Sequence, residues 1–250
     1  MADYFPASLE IIVISFIGLI FGSFATAIAY REAHGEKWLA IKAGEDVQVW
    51  SKCSSCEHRL GFFDLIPLLS WVFSKGRCRH CSAVISQRYP IIELMSLLGC
   101  LGLYAVYGFN ISLVYLLVMM PFLIALFWVD IDCMILPNRL IVFFAGFAIF
   151  YVVYKYHQTE DMDELVDHIL GGIAYPAIFG LAAWIITKIL KKSALGMGDI
   201  KFLAPAGLLA GFGTLSAFLI LSGVLGVLTA FLMRKFKDSS LFPFGPALIL

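Results

Sequence analysis

Seven apolar runs, most of them near helix-spanning length, decide what this chain can become: 7–30, 91–107, 111–129, 140–156, 168–187, 200–212 and 214–233. About 20 consecutive apolar residues wound into a helix cross the roughly 30 Å hydrocarbon core of a bilayer. In lipid a helix also satisfies its own backbone hydrogen bonds. The sixth run is the shortest and has the least definite boundary. Composition supports the membrane reading: 61% of the 250 residues are hydrophobic and 14% charged, against roughly 45–50% and about 25% in a soluble domain. The first run follows Asp3 and Glu10 rather than Lys or Arg. It is also longer than a signal-peptide core, so it reads as a retained helix. The expected fold is an all-α polytopic membrane protein of about seven transmembrane helices. A fragment at 241–250, opening near Pro243, is expected to begin a short eighth. Net charge is zero, which gives no basic field for nucleic acid.

Charge orients the helices, because short loops rich in Lys and Arg stay on the cytoplasmic side. Residues 31–90 hold nine of the eighteen basic residues. Further basic positions are Arg139, then Lys188, Lys191, Lys192 and Lys201, then Arg234, Lys235 and Lys237. The loop after the fourth run is acidic, with Glu160, Asp161, Asp163, Glu164 and Asp167 against Lys155. An outside N-terminus puts every basic cluster in the cytoplasm and the acidic loop outside. The chain then divides into a first transmembrane helix (1–30), a cytoplasmic four-cysteine loop (31–90) and a membrane core (91–250). Gly108-Phe109-Asn110 and Gly211-Phe212-Gly213 read as tight turns between neighbouring helices.

The loop contains Cys53-Ser54-Ser55-Cys56 and Cys78-Arg79-His80-Cys81, with 21 residues between the pairs. Two thiolates two residues apart grip one tetrahedral ion, and two such knuckles complete a structural zinc site. A small loop with little core gains most from such a staple. Two disulfides or free thiols are the alternative, although disulfides are rare in cytosol. His58 and His80 are alternative ligands, read as solvent-exposed. Cys100 and Cys133 read as buried apolar residues.

Carboxylates at a membrane boundary are expensive and therefore functional candidates. Asp130 is expected at the exit of the third helix and Asp199 at the entrance of the sixth, both on the cytoplasmic face. Pro137 is expected to end helix geometry and Asn138 to cap the next helix. Asp199 sits in Gly196-Met197-Gly198-Asp199, whose glycines leave room for a substrate backbone. Two carboxylates sharing a proton can activate water and protonate a peptide carbonyl with no metal. Helix capping, or pairing with Arg139 and Lys201, is the plainer reading of each. An ion-coupled transporter using the same two aspartates is the rival function. Asp132 points to another side of the helix and reads as supporting or exposed.

At these residues the chain resembles the type IV prepilin peptidases, a branch of the Gly-x-Gly-Asp membrane aspartic proteases. The resemblance includes Gly22-Ser23-Phe24 with Tyr30-Arg31 and both cysteine pairs. Asp64-Leu65-Ile66-Pro67, Gly76-Arg77-Cys78-Arg79, Ile85-Ser86 and Tyr89-Pro90-Ile91-Ile92-Glu93 belong to it as well. It continues through Asp130, seven residues before Pro137, Asp199 in Gly-Met-Gly-Asp-Ile-Lys, and Pro243-Phe244-Gly245-Pro246. It departs at Ala25 and Thr26, where Leu and Asn are usual, at Ser54, where a proline is usual, and soon after Pro246, where relatives often continue. The resemblance implies that Asp130 and Asp199 are catalytic. It implies an inner-membrane enzyme that cuts basic leaders from type IV prepilins or type II secretion pseudopilins, usually between Gly and Phe, on the cytoplasmic side. It also implies, for many members, S-adenosylmethionine-dependent methylation of the new N-terminus.

Overall fold

A computed structural model describes residues 6–36, 50–191, 195–236 and 245–249. Asp3, Lys192, Lys237, Pro243 and Phe244 lie outside the described residues. The elements in order are α1 (Ala7–Ala33), a 3-10 turn (Phe62–Asp64), α2 (Leu69–Phe73), α3 (Arg88–Tyr107), α4 (Ile111–Cys133) and α5 (Asn138–Thr159). They continue with α6 (Met162–Leu190), α7 (Met197–Ala210), a 3-10 turn (Phe212–Thr214), α8 (Leu215–Phe236) and α9 (Gly245–Ile249). Among the described residues there is no strand, only two isolated β-bridges.

Six spans are long and apolar enough to cross a membrane, and only 11–44% of each apolar window is buried inside the protein. Most of each window is therefore left uncovered by the rest of the chain. The sixth expected span differs. It is α7, and its 14 residues extend about 21 Å at 1.5 Å per residue, short of a full crossing. Gly211 (φ +81°) ends it, and a 3-10 turn leads directly into α8. The expected turn at Gly108 is likewise present, with Gly108 at φ +67° and Asn110 accepting the Leu113 N–H at 2.9 Å. At the C-terminus α9 is a five-residue helix whose first four residues are buried.

Three boundaries depart from expectation for local reasons. The third apolar run continues as helix to Cys133, so Asp130 and Asp132 stand on α4 itself. Met134, at φ +54°, ends it before Pro137 does. The next helix begins at Asn138 with Pro137 as its N-cap, and the side-chain cap expected of Asn138 is not made; its amide oxygen accepts from Lys201 instead, at 3.0 Å. Most of the acidic loop becomes the opening of α6. Asp161 caps it by accepting the Asp163 and Glu164 N–H groups, and the acidic first turn suits the positive helix end.

The chain divides into two compact units, Met1–Ala125 and Leu126–Leu250. In the first, α1 packs on α3 through small residues. A Cβ on Gly18 would come 3.0 Å from the Leu97 backbone, and one on Gly22 would come 2.6 Å from that of Glu93. Small residues four apart let membrane helices touch backbone to backbone. Cys100 is fully buried in a cluster with Ile14, Leu113 and Leu117. In the second unit α7 lies against α5 and α6. Gly171 and Gly207 meet so closely that a Cβ on either would lie 2.3 Å from the other's carbonyl oxygen. Phe144 stacks on Phe202 at 5.3 Å. His168 donates from Nδ1 to the Leu208 carbonyl at 2.9 Å, and the Gly213 N–H donates to Asp167 at 3.0 Å. These contacts fix the axis of α7, and with it the position of Asp199 at its opposite end.

Candidate active site and metal centre

The second unit brings Asp130 and Asp199 to one cavity of about 320 Å³, at the C-terminal end of α4 and the N-terminal end of α7. Both carboxylates are buried, 4% and 8% exposed. Their settings differ. Asp199 occupies the third position of α7, where one oxygen (Oδ2) accepts the Gly196 N–H at 3.0 Å; part of its role is therefore a helix cap. Asp130 Oδ2 is buried and makes no full hydrogen bond among the described residues, although the Gly245 backbone N–H approaches this carboxylate. A buried carboxylate oxygen without a full hydrogen bond is costly unless something binds there, and capping does not explain it. The pairing alternative also weakens, because Lys201 donates to Asn138.

Gly196 and Gly198 both line the cavity. Gly198 has in addition a packing reason to be glycine: a Cβ there would sit 3.1 Å from Cβ of Leu136. The first turn of α7 is thereby seated on the loop after α4. Asp132, two residues beyond Asp130, is exposed. So is Cys133, contrary to the expectation of burial, because it is the last residue of α4 and its side chain has left the packed face.

Gly245 is a site residue to which sequence reasoning gave no role. It opens α9, is buried, and lies so close to Asp130 that a Cβ would be 2.6 Å from Oδ2. Its only sequence signal is membership of the Pro-Phe-Gly-Pro run; no spacing rule connects it to Asp130.

The four-cysteine site lies in the first unit, where the four sulfurs all lie within 4.8 Å of one another. Cys53 Sγ and Cys81 Sγ are 3.9 Å apart, close to the roughly 3.8 Å edge of a tetrahedron with 2.3 Å zinc–sulfur bonds. The two knuckles repeat with an offset of 25 residues. Lys52 bridges to Arg59 and Arg77 to Val84. Cys53 N–H donates to the His58 carbonyl and Cys78 N–H to the Ala83 carbonyl, both at 2.9 Å. Glu57 and Ser82, each just after a second cysteine, turn back at φ +54° and +59°. Backbone N–H groups of Cys56 and Ser55 lower the Cys53 thiol below the usual thiol range, which favours the thiolate that a metal ion binds. No disulfide joins the described cysteines. His58 and His80 are exposed, with ring centroids 3.5 Å apart and the rings tilted by 34°.

Residues 16–107 match the Bacterial Peptidase A24 N-terminal domain, and residues 117–231 match the Type IV leader peptidase family. A leader peptide-processing enzyme for type 4 prepilin-like proteins, from Escherichia coli, is 30% identical over 98% of this chain and 93% of its own length. A prepilin leader peptidase/N-methyltransferase from Aeromonas hydrophila is 31% identical over 80% of this chain and 68% of its own. One from Vibrio cholerae is 28% identical over 96% and 93%. No solved structure matches the chain.

Proposed function

Since the chain belongs to the type IV leader peptidase family, and so is a multi-pass inner-membrane enzyme that removes leaders from prepilins, we propose that Asp130 and Asp199 are its catalytic pair. The observation that carries this assignment is the shared cavity in which Asp130 keeps a buried oxygen that makes no full hydrogen bond. Two carboxylates in one low-dielectric site hold a single proton between them. The ionised one takes a proton from water, whose oxygen attacks the scissile carbonyl carbon. The protonated one gives its proton to the carbonyl oxygen. The tetrahedral intermediate then collapses, the C–N bond breaks and the amine leaves with a proton. No metal takes part in this cleavage. Gly196 and Gly198, bare of side chains at the cavity wall, let the substrate backbone come near Asp199.

The substrate is a prepilin or pseudopilin with a basic leader. The cut falls at the cytoplasmic face, with the N-terminus of this chain outside, as the placement of basic loops supports. Cys53, Cys56, Cys78 and Cys81 bind one structural zinc ion, for which their sulfur geometry is suited. With four protein ligands the ion has no open position for substrate. Methylation of the new N-terminus, with S-adenosylmethionine as donor, is the second activity that the relatives' names carry.

The test is cleavage of a purified prepilin in detergent. Asp130→Asn and Asp199→Asn should each slow turnover by at least about 100-fold, the lower bound for loss of a general acid or base. Zinc content and thermal unfolding should stay native. Near-native turnover in either variant would sink the assignment.

A further inference from the structure

The segment between α1 and α3 turns its large apolar side chains outward. Phe62 is 79% exposed, Phe63 69%, Val72 60% and Phe73 74%, and Leu69 is also exposed. Phe62 and Phe63 form the 3-10 turn, which touches α2. Their rings meet edge to face at 5.9 Å and cover each other only in part. On α2, Leu69, Val72 and Phe73 stand at i, i+3 and i+4, which is one helix face. The remaining aromatic of α2, Trp71, is the one turned inward. Its ring lies over Gly76, where a Cβ would come 2.9 Å from the indole, and Nε1 donates to the Ile85 carbonyl at 3.3 Å. Trp71 thus anchors α2 and commits the opposite face to the surroundings.

We propose that the face formed by Phe62, Phe63, Leu69, Val72 and Phe73 inserts into the headgroup–acyl boundary of an anionic bilayer leaflet, as an interfacial wedge. Position argues first for lipid. The segment enters from one membrane span and leaves into another. Leu68, which opens α2, donates its N–H at 2.7 Å to Glu93, a buried residue one and a half turns into α3. That bond holds α2 at the shoulder of a spanning helix, at interfacial depth. Charge argues next. Residues 50–90 hold six Lys and Arg against two Asp and Glu. Residues 50–90 stay positive even if a zinc tetrathiolate contributes its two negative charges. Lys75, Arg77 and Arg79 are exposed and follow α2 directly. Basic residues beside an aromatic and aliphatic face match anionic headgroups over acyl chains. The same charge repels a basic leader, which disfavours the substrate as occupant.

The wedge stands apart from the peptide cleavage proposed above, and its test reads lipid contact rather than activity. The full-length enzyme would be made with benzoylphenylalanine at Phe62, at Phe73, or at exposed Glu57 as control. It would be placed in nanodiscs of phosphatidylglycerol and phosphatidylethanolamine, with and without prepilin, and irradiated. Native zinc content would verify folding of each labelled protein, so that one misfolded variant leaves the other to decide. Lipid adducts at 62 and 73 should exceed those at 57 by about fivefold or more, as expected for side chains below the headgroups, and prepilin should not displace them. Adducts on prepilin in place of lipid would overturn the proposal, as would lipid labelling no higher than at Glu57.

Discussion

A methyl group built on Gly245 would lie 2.6 Å from Oδ2 of Asp130, closer than real carbon–oxygen contacts. Either the carboxylate or α9 must move to admit it. Near-attack geometry is unforgiving, and a displacement of about 1 Å can cost on the order of 100-fold in rate. Gly245→Ala should therefore slow prepilin cleavage by tenfold to 100-fold, about 1.4 to 3 kcal/mol of transition-state stabilisation. Zinc content, set in the other unit, should not change. Asp132→Asn is the matched control. Asp132 is exposed and about 200° further round the helix from Asp130, so turnover should stay within about twofold, the range of ordinary surface changes. Cleavage assays on the two variants side by side check both. At this scale the sequence was legible where chemistry is expensive. A carboxylate at a membrane boundary and a Gly-x-Gly-Asp turn announce themselves through cost and residue type. Gly245 does not, because a glycine facing a distant carboxylate leaves no periodic or compositional trace. Cys133 misled for a related reason: thiol chemistry says small and apolar, and only the last turn of α4 says exposed.

The elements were read well wherever one physical rule governed them. The two cysteine pairs predicted a closed four-sulfur centre, and the structure brings all four sulfurs within 4.8 Å. Its near-identical knuckles explain why the spacing alone sufficed: each is a self-contained turn closed by its own bridge. Replacing buried Cys78 by Ser should remove a thiolate that the other three cannot replace. Purified native protein should carry one zinc per chain and the Cys78→Ser variant much less than half. The melting temperature of the variant should fall, because metal binding here is folding energy. Elemental analysis beside thermal unfolding reads both, and metal-free protein that is well folded and active would refute the site. Helix ends were harder to place. Hydropathy marked 111–129 as the third span but did not register that α4 runs on to Cys133, because Asp130 and Asp132 lower the apolar score without breaking the helix. The start of α6 was missed in the same way: Asp161, Asp163 and Glu164 look like a loop by polarity, yet they are a cap and a first turn. The short α7 is an element whose length is set by Gly211 and by its contacts with α5 and α6.

At the scale of the whole molecule, the two compact units divide the chemistry. Asp130, Asp199 and Gly245 all belong to Leu126–Leu250, whereas the four cysteines belong to Met1–Ala125. The match to the A24 N-terminal domain, residues 16–107, falls inside the first unit. Peptide cleavage and methyl transfer also ask for different things. Cleavage by the proposed mechanism needs water activated between carboxylates. Methyl transfer needs an unprotonated N-terminal amine, whose lone pair attacks the methyl carbon while the C–S bond breaks toward sulfur and the amine then loses a proton. A carboxylate pair in the second unit has no part in that displacement. Asp199→Asn should therefore stop leader removal yet methylate pilin supplied already cut, at a rate within about threefold of native, as expected when a substitution touches no shared partner. The converse dependence should fall on the four-cysteine loop, with Cys78→Ser losing methyl transfer more steeply than cleavage. Mass spectrometry of the pilin N-terminus, after incubation with S-adenosylmethionine and each enzyme variant, reads both reactions on one peptide. If native enzyme cleaves to completion with methyl donor present and the new N-terminus stays unmodified, this chain is a peptidase alone. The substitutions at Ala25 and Thr26, in the C-terminal half of α1, would then be the first positions to revert to Leu and Asn in a search for the missing activity.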